Sequence, residues 1–359
     1  MKRTYLAIAA MAALISGLTS CDEKLSPEPQ KATIDISIDA DGLATKGMGT
    51  VATTSTDNLR DDEKNIRNLQ VFVFNGDARD GYVQAERQGA EASITRATKV
   101  ECTSGVREIW CIANAPSLSS VTSKTALLAT VSLLTRNSTA NGFVMTGFKS
   151  SVTIAKGNKN EQTIPVKRIA SKIVVKNIEN ALRTGGSMKI TRVYITNVAG
   201  QINYGLDTYA TASGTWLNKG GYTSASGQNY DSVTQDINLT ANVAAGSKYT
   251  TNHFFYAYPN NYPQEDYSDS WTPRRTMLVV QIEYNSRLYD YPIDLGVDLE
   301  SNKMYVIDNL KLQNLGNVDD GEEGGADEEN PISGATVSVS LEVMDWTVVS
   351  LGTDGEITI

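Results

Sequence analysis

The chain has 359 residues but a single histidine, His253. One histidine excludes zinc sites built from two or more histidines, and a Ser-His-Asp triad would depend on His253 alone. That residue lies in an aromatic, strand-like stretch, where an ordinary strand histidine is the simpler interpretation. The sequence contains no GxSxG, Walker or dinucleotide-binding motif. It therefore predicts a protein that is not an enzyme and that has no cofactor or metal.

The chain also lacks an excess of basic residues. Its formal net charge is -9 and its pI is about 4.9, whereas nucleic-acid binding requires a basic face. The most acidic stretch, residues 317–331, has carboxylates that could attract calcium, but their spacing does not match an EF-hand loop. Because this stretch has almost no apolar side chains to bury, it is predicted to be a flexible acidic linker. No nucleic-acid partner is expected.

No apolar run is long enough to span a bilayer. The stretch from Leu6 to Leu18 follows Lys2 and Arg3 and reads as a secretory signal over residues 1–20. The letters LTSC at 18–21 match a lipobox, in which the cysteine is acylated and becomes the new N-terminus. Cys21 is therefore predicted to carry the lipid that holds the precursor on a membrane face, and an ordinary signal with a chance cysteine is the alternative.

Two further cysteines, Cys102 and Cys111, lie in one predicted hairpin. Export to an oxidising compartment permits a disulfide. Their spacing does not decide whether the two sulfurs face each other, so a bridge and two buried thiols both stay open.

Strand-like segments dominate the rest of the chain, since they are rich in β-branched and aromatic residues and are bounded by Gly, Asn, Pro or Ser. One window, 117–134, has helix-like spacing and is either a helix or a loop with one short helix. Residues 199–251 read as long surface loops, and a domain boundary is expected near 165–172. These patterns predict an all-β protein made of antiparallel β-sandwiches. The predicted strands are 69–75, 107–114, 142–148, 161–168, 171–178, 188–198, 252–259, 275–284 and 304–312.

The N-terminal end of the mature chain contains a short strand with apolar residues at every second position, Ile34, Ile36 and Ile38. A stretch rich in Gly, Thr and Ser follows, and it contains Lys46. A basic residue among small residues in an exposed loop is a target for a trypsin-like protease, so cleavage is expected between Lys46 and Gly47.

The C-terminal end contains the longest alternating strand pattern of the chain, directly after the acidic linker. Its apolar positions change phase once. Because a one-residue slip exchanges the two faces of a strand, the segment is either one strand with a bulge or two consecutive strands. The apolar positions are Val337, Val339, Leu341 and Val343, followed by Met344, Trp346 and Val348.

Several motifs together resemble a known family. They are the lipobox at Cys21, ATKG at 44–47, WCIANAP at 110–116, MTG at 145–147, VKRIASKI at 166–173 and VSVSLEVMDWTVV at 337–349. In this order they are similar to the fimbrillins, the FimA-like and Mfa-like major subunits of the type V pili of Bacteroidetes. The resemblance covers essentially the whole chain. The best-known members have Arg at the cleavage point, where this chain has Lys46.

The resemblance implies two tandem transthyretin-like antiparallel β-sandwich domains with an exchangeable C-terminal strand. A lipoprotein at the cell outer membrane would be cut by a trypsin-like surface protease, which removes the strand Ile34–Ile38. The C-terminal strand of another copy would then fill the vacated groove. The implied division is a signal peptide at 1–20, a lipidated pro-segment at 21–46, sandwiches at 47–167 and 168–316, the linker at 317–331 and the donor segment at 332–359.

The function implied by the resemblance is a shaft subunit of an extracellular fimbrium, which supports adhesion. Its partners would be other copies of itself and separate anchor and tip subunits. Two alternatives stay open. The chain could be an anchor or tip subunit, or it could be a monomeric surface lipoprotein with its C-terminal strand folded into its own domain. The latter would bind glycans through loop aromatics, namely Trp216, Tyr222, Tyr230, Tyr262, Tyr267 and Trp271.

Overall fold

The fold is nearly all β, as the sequence predicts. The computed structural model describes residues 29–40, 63, 65–87, 94, 96–138, 141–205, 215–221, 234–236, 238–262, 271–319, 332 and 337–345. Four sets of predicted site residues lie outside these ranges: Cys21, the Lys46–Gly47 pair, Trp346 and Val348.

The N-terminal half contains eight strands and one short helix among its described residues. Three of the strands, at 78–86, 96–103 and 131–133, were not predicted as strands. Polar side chains interrupt the alternation of the first two, and the third lies in the window with helix-like spacing. The strands are β1 (Lys31–Ala40), β2 (Asn68–Asn75), β3 (Ala78–Glu86), β4 (Arg96–Thr103), β5 (Gly105–Ala113), β6 (Val131–Leu133), β7 (Met145–Ile154) and β8 (Asn160–Arg168).

Seven of these strands form a continuous path in the order β3-β2-β5-β7-β8-β1-β4. Strand β8 connects two layers, because residues 160–166 pair with β1 and residues 167–168 pair with β7. The layer β8-β1-β4 and the layer β3-β2-β5-β7 share one apolar core. This arrangement is a β-sandwich whose first layer has β1 as its middle strand.

The helix α1 (Lys124–Ala129) is shorter than the window that suggested it. The Ser123 side chain accepts a hydrogen bond from the Ala126 amide and so caps the first turn. Leu127 is buried, and a 3-10 turn at Leu134–Arg136 follows. The segment is thus the second of the two predicted forms, a connection with one short helix.

The C-terminal half contains the remaining described strands. The chain enters this half after β8, between Arg168 and Ser171. The strands are β9 (Ser171–Val175), β10 (Ile178–Asn180), β11 (Met188–Thr196), β12 (Val198–Ala199), β13 (Gln201–Asn203), β14 (Trp216–Leu217), β15 (Gln235–Asp236), β16 (Ala241–Val243), β17 (Lys248–Tyr249), β18 (His253–Ala257), β19 (Met277–Tyr284), β20 (Arg287–Asp294), β21 (Lys303–Leu312), β22 (Asn317–Val318) and β23 (Val337–Asp345).

Two sheets dominate this half. One has the order β17-β10-β21-β9-β18 with β23 added on β21, and the other has the order β15-β11-β19-β20-β22 with β16 added on β11. Their buried side chains belong to one large apolar cluster. Two details differ from the prediction. The described part of the stretch predicted as surface loops contains five short strands, β13 to β17, among them the buried pair Trp216–Leu217, and the expected linker begins with the short strand β22. Strands of two or three residues have no detectable period.

The two halves are joined by direct contacts. Strand β6 pairs with β13, and the buried Tyr258 hydroxyl hydrogen-bonds with Ser132 at 2.8 Å. A buried ion pair adds a second connection, since Lys172 Nζ lies 2.8 Å from Glu63 Oε2 and both side chains are almost fully buried. The Tyr256 hydroxyl also donates to the Glu63 carboxylate. Glu63 thereby links the segment that precedes β2 to strands β9 and β18.

Candidate strand-exchange site

The N-terminal strand β1 is an interior strand of the first sandwich. It runs parallel to β8 on one side and antiparallel to β4 on the other. Ile34, Ile36 and Ile38, the residues predicted to be released, are at most 7% exposed and lie in the core. Burial of such side chains contributes about 1.5–3 kcal/mol each before the ordering of the strand is subtracted. Strand β1 is therefore a large part of the core of this layer.

Strand β4 depends on β1 for its backbone hydrogen bonds. Within the part of the chain that the structure describes, β1 is the strand with which β4 pairs. Removal of β1 would therefore leave the facing edges of β8 and β4 unpaired, on both sides of an apolar groove. An unpaired edge is a template for an added strand.

A carboxylate on β1 holds the irregular part of β4. The pairing of Ile34 with Val100 and of Ile36 with Ala97 leaves a bulge in β4 opposite Asp35. Asp35 accepts a hydrogen bond from the Lys99 amide at 2.8 Å and one from the Arg96 guanidinium at 2.9 Å. These contacts, the Lys99 amide first, hold the pKa of Asp35 below its ordinary value. Arg96 also reaches Glu161 of β8 at 3.1 Å and so bridges both neighbours of β1.

The other end of β4 is held by residues outside β1. Asp80 of β3 accepts hydrogen bonds from the Thr103 amide and from Arg107 Nε, both at 2.8 Å. Burial alone would raise the pKa of Asp80, but the hydrogen bonds from Arg107 and Thr103 outweigh burial and hold the pKa below its ordinary value. At Gly81 a Cβ atom would lie 2.3 Å from the Glu101 carbonyl oxygen, so β3 approaches β4 as closely as it does only because this residue is glycine. This end of β4 would keep these contacts without β1.

A surface cleft of about 920 Å³ opens at the start of β1. Ala32 and Cys102, which are directly opposite each other in the β1–β4 ladder, both line this cleft. Cys102 and Cys111 are free and buried, so the buried-thiol alternative is correct and the disulfide is not formed. Burial raises the pKa of the Cys102 thiol to about 11, which keeps it in the unreactive protonated form.

The predicted donor strand is present as β23, which pairs antiparallel with β21 of the same chain. Val337 and Leu341 are 6% exposed, and Val339 packs against the same cluster. The side chains of Val343 and Met344 lie outside the described residues, although their backbone belongs to β23. This intramolecular position is the one that the monomeric lipoprotein alternative expected.

The aromatic residues of the glycan-binding alternative form a compact cluster where they are described. The Trp216 ring lies 5.4 Å from the Trp271 ring and 5.6 Å from the Tyr262 ring. Trp216 is 5% exposed, and Lys219 and Arg274 lie within 5.7 Å of the Trp271 ring centre. Trp216 is therefore buried, whereas Trp271 and Tyr262 are half-buried. Three other residues of the set, Tyr222, Tyr230 and Tyr267, lie outside the described residues.

His253 is a strand residue, as expected. It lies on β18, the outer strand of its sheet, and its Nδ1 atom is 2.6 Å from Asp236 Oδ2. Among the described residues, no three His, Cys, Asp or Glu side chains are grouped in a way that could hold a metal ion. The same part of the chain has no helix that is both long and apolar enough to cross a membrane.

The sequence of this chain matches one known protein family. The sequence model of the family described as major fimbrial subunit protein (FimA) matches residues 32–270, which include β1, β4 and β8. The chain belongs to this FimA family. Among curated proteins no sequence matches this FimA-family chain. Its membership indicates a structural protein of a cell-surface fimbrium, which assembles with other fimbrial subunits and is not an enzyme.

Solved structures share the fold of this FimA-family chain. A fimbrilin from Porphyromonas gingivalis is similar with a TM-score of 0.56 and 17% identity, over 89% of this chain and 98% of that one. A protein assigned to cell adhesion from Bacteroides eggerthii has a TM-score of 0.59 and 20% identity, over 88% of this chain and 96% of that one. At these identities the likeness shows the fold alone.

Two features of the site were missed in the sequence. Asp35 is a polar residue between two isoleucines, but its contacts depend on the β4 bulge, which the sequence of β4 does not reveal. Asp80 lies in a strand that was not predicted. The sequence pattern that could have drawn attention to Asp35 is its position between two apolar residues, Ile34 and Ile36.

Proposed function

We propose that this protein is the shaft subunit of a fimbrium that supports adhesion. It is exported as a lipoprotein acylated at Cys21, reaches the outer membrane, and is cut between Lys46 and Gly47 by a trypsin-like surface protease. The C-terminal strand of another copy then replaces β1. The observation that carries this proposal is the position of β1, which is the middle strand of its layer and lies on the N-terminal side of the cleavage site.

Cleavage changes how β1 is held. In the intact chain β1 is connected covalently to β2 through residues 41–67, which include Lys46. After a cut at Lys46, β1 is held without a covalent link to β2, by the β8 and β4 ladders, the three buried isoleucines and the contacts of Asp35 with Arg96 and Lys99. Loss of β1 then creates an apolar groove with two unpaired edges, which favours capture of another apolar strand.

The donor is the segment around Val337–Val348. It follows the acidic linker in sequence, and its described part lies at the edge of a sheet, on β21, where it has one ladder partner. Release of all or part of it from this edge costs at most one ladder and the burial of Val337 and Leu341. A contact between the C-terminal strand of one copy and the N-terminal groove of the next uses two different surfaces. It does not close on itself, so repetition builds a filament.

A monomeric lipoprotein is the second candidate, and one observation favours it. Strand β23 lies on β21 of its own chain, as that candidate requires. The packing of Trp216 and Trp271 gives no corresponding support to glycan binding. An anchor subunit that keeps its lipid, or a tip subunit, is a third possibility within the family.

Limited proteolysis separates these candidates. The full-length chain carrying Cys21→Ser is treated briefly with trypsin and run in detergent without boiling. A ladder of multimers is expected for a shaft subunit, and a single trimmed band would contradict the proposal and support the monomer. A Lys46→Ala variant tests the cleavage position, and N-terminal sequencing of the treated protein should find a chain that begins at Gly47 in the parent and none in the variant.

Truncation tests the donor. Removal of residues 335–359 should abolish the ladder while a protease-resistant core remains. If this truncated protein still formed multimers, the C-terminal segment would not be the donor. A mixture of the truncated protein with the intact chain provides the matched control, because the truncated copy keeps its groove and should still be incorporated at one end of each multimer.

A further inference from the structure

We infer that Met344–Val348 repeats the pattern of apolar and polar residues in the part of β1 that it replaces. Asp345 then takes the position of Asp35 beside Arg96 in the neighbouring subunit. This inference rests on the proposed donor-strand function and adds the register of the incoming strand. The groove segment of β1 reads Ile-Asp-Ile-Ser-Ile over 34–38, and the donor reads Met-Asp-Trp-Thr-Val over 344–348. Each position keeps its class: apolar, acidic, apolar, hydroxyl and apolar.

Burial alone does not select this register. The groove requires apolar side chains where Ile34, Ile36 and Ile38 are buried, and three placements of the donor satisfy this requirement. The first residue of the donor triplet can be Val337, Val339 or Met344. The placement that starts at Leu341 fails, because it would bury Asp345 in the position of Ile38 without a partner.

The bulge in β4 separates the three placements. At this position the Lys99 amide and the Arg96 guanidinium donate to the Asp35 carboxylate at 2.8 and 2.9 Å, so the replacing residue meets the same two donors. A carboxylate accepts both hydrogen bonds, and hydrogen bonds to charged groups are stronger than neutral ones. The placements that start at Val337 or Val339 present a serine there, whereas the placement that starts at Met344 presents Asp345. The donor with an acid at this position is therefore favoured.

The larger donor side chains have space in this register. Trp346 would replace Ile36, and the β4 residue opposite Ile36 is the small Ala97. Glu342 would replace Ala32 and extend into the cleft of about 920 Å³ that Ala32 lines. Arg79 also lines that cleft, together with the carboxylates of Asp80 and Glu101.

The register also fits the position of β23. Val337 and Leu341, which precede Met344–Val348, are the donor residues that are buried on their own subunit. The phase change between Val343 and Met344 then marks where the strand leaves β21 and enters the neighbour. In this arrangement the first half of β23 keeps its own ladder while the second half forms a new one.

Cross-linking to the native Cys102 tests the register directly. Residues opposite each other in an antiparallel ladder have Cα atoms about 4.5–5.5 Å apart, within the range of a disulfide. In the inferred register the partner of Cys102 is residue 342, because Ala32 faces Cys102 in the intact chain. The placement that starts at Val337 would put residue 335 there, and the one that starts at Val339 would put residue 337 there.

The experiment uses three variants of the full-length chain, all with Cys21→Ser: Glu342→Cys, Ala335→Cys and Val337→Cys. Each is polymerised with trypsin, oxidised, and run boiled without reductant. Glu342→Cys should give a covalent ladder that disappears with reductant and with Cys102→Ser, while the other two should give none. A covalent ladder from Ala335→Cys or Val337→Cys, or polymers of Glu342→Cys without cross-links, would overturn the register but not the donor function. Failure of the parent chain to polymerise would instead overturn the proposed function.

A charge exchange tests the role of Arg96. Asp345→Lys should slow polymerisation of fully cleaved protein by roughly threefold to tenfold, a range set by the partial exposure of this ion pair. Arg96→Glu combined with Asp345→Lys should recover most of the rate. Glu328→Lys provides the charge-matched control, since this residue belongs to the acidic linker that precedes the donor strand and has no part in the inferred contact. Equal rates for Asp345→Lys and the parent chain would refute recognition by Arg96.

Discussion

The attachment of β1 can be measured with the Ile36→Ala substitution. Ile36 is fully buried in the middle of β1. Cys102 is a buried residue of β4 and is paired with Ala32 near the start of β1. Loss of a buried isoleucine side chain to alanine costs about 2–5 kcal/mol. If β1 opens locally, its opening equilibrium shifts by this amount, and at about 1.4 kcal/mol per factor of ten even 2 kcal/mol corresponds to about 30-fold. We therefore expect Cys102 to react about 30-fold faster or more.

The assay is thiol labelling at pH 8 of the full-length chain carrying Cys21→Ser, followed by peptide mapping. Burial keeps the pKa of Cys102 at about 11 while β1 is in place. Once the strand opens, the pKa should return toward an ordinary thiol value of about 8.5 and labelling should proceed. Cys111, which is fully buried between the layers, serves as an internal control for global unfolding.

Thr33→Ala is the matched control variant, because Thr33 is an exposed side chain of the same strand. It should leave the labelling rate within about twofold of the parent chain, as expected for a surface substitution of at most about 0.5 kcal/mol. Two results would refute the reasoning. Either Ile36→Ala labels no faster than Thr33→Ala, or Cys111 reacts as fast as Cys102, which would mean that the whole sandwich opens and not β1 alone.

Two further predictions concern charged groups. Glu63→Gln should lower the free energy of unfolding in urea by about 3–5 kcal/mol, because Lys172 would keep a buried charge without its carboxylate; Glu63→Leu with Lys172→Met should recover most of this, and a loss below about 1 kcal/mol for Glu63→Gln would contradict the argument. Asp35→Asn should lower the urea midpoint at pH 7. Because the pKa of Asp35 is lowered in the folded protein, its contribution is complete above the ordinary value of about 3.9 and is lost as the pH falls through the lowered value. The two midpoints should therefore converge below about pH 4, and a gap that stays constant with pH would refute the role of its charge.

Much of the fold follows from the alternation of apolar residues. The strand at Ile34–Ile38 is predicted by apolar residues at every second position, because one face of it packs on the core. The segment at 69–75 is predicted instead by its β-branched and aromatic residues, which are buried on both faces of the strand. Strand β4 was missed because its bulge at Lys99, which has a φ of 55°, breaks the alternation. A bulge is stabilised by a residue of another strand, here Asp35, so no local pattern reveals it.

Only part of the candidate site could be predicted from the sequence. The sequence identified Ile34, Ile36 and Ile38 as a strand, but it did not reveal that this strand lies in the middle of its layer, since the pairing with β8 joins residues more than 120 positions apart. It also gave no sign that Val337–Asp345 rests on β21. Both facts depend on which edges the folded sheets leave open, and this is a property of the whole chain.

Strand β1 is parallel to β8 and antiparallel to β4, and these pairings fix the orientation of the strand that replaces it in the proposed filament. Ile34, Ile36 and Ile38 have the same spacing when read from either end, so their burial alone would accept a strand in both orientations. Asp35 is not at the centre of this pattern, and its partners Arg96 and Lys99 lie at one place on β4. A strand entering backwards would present its acid two residues away from them, in a ladder antiparallel to β8. If the C-terminal strand takes the place of β1, each subunit is added head to tail with the same polarity, and the two ends of the fibre are chemically different.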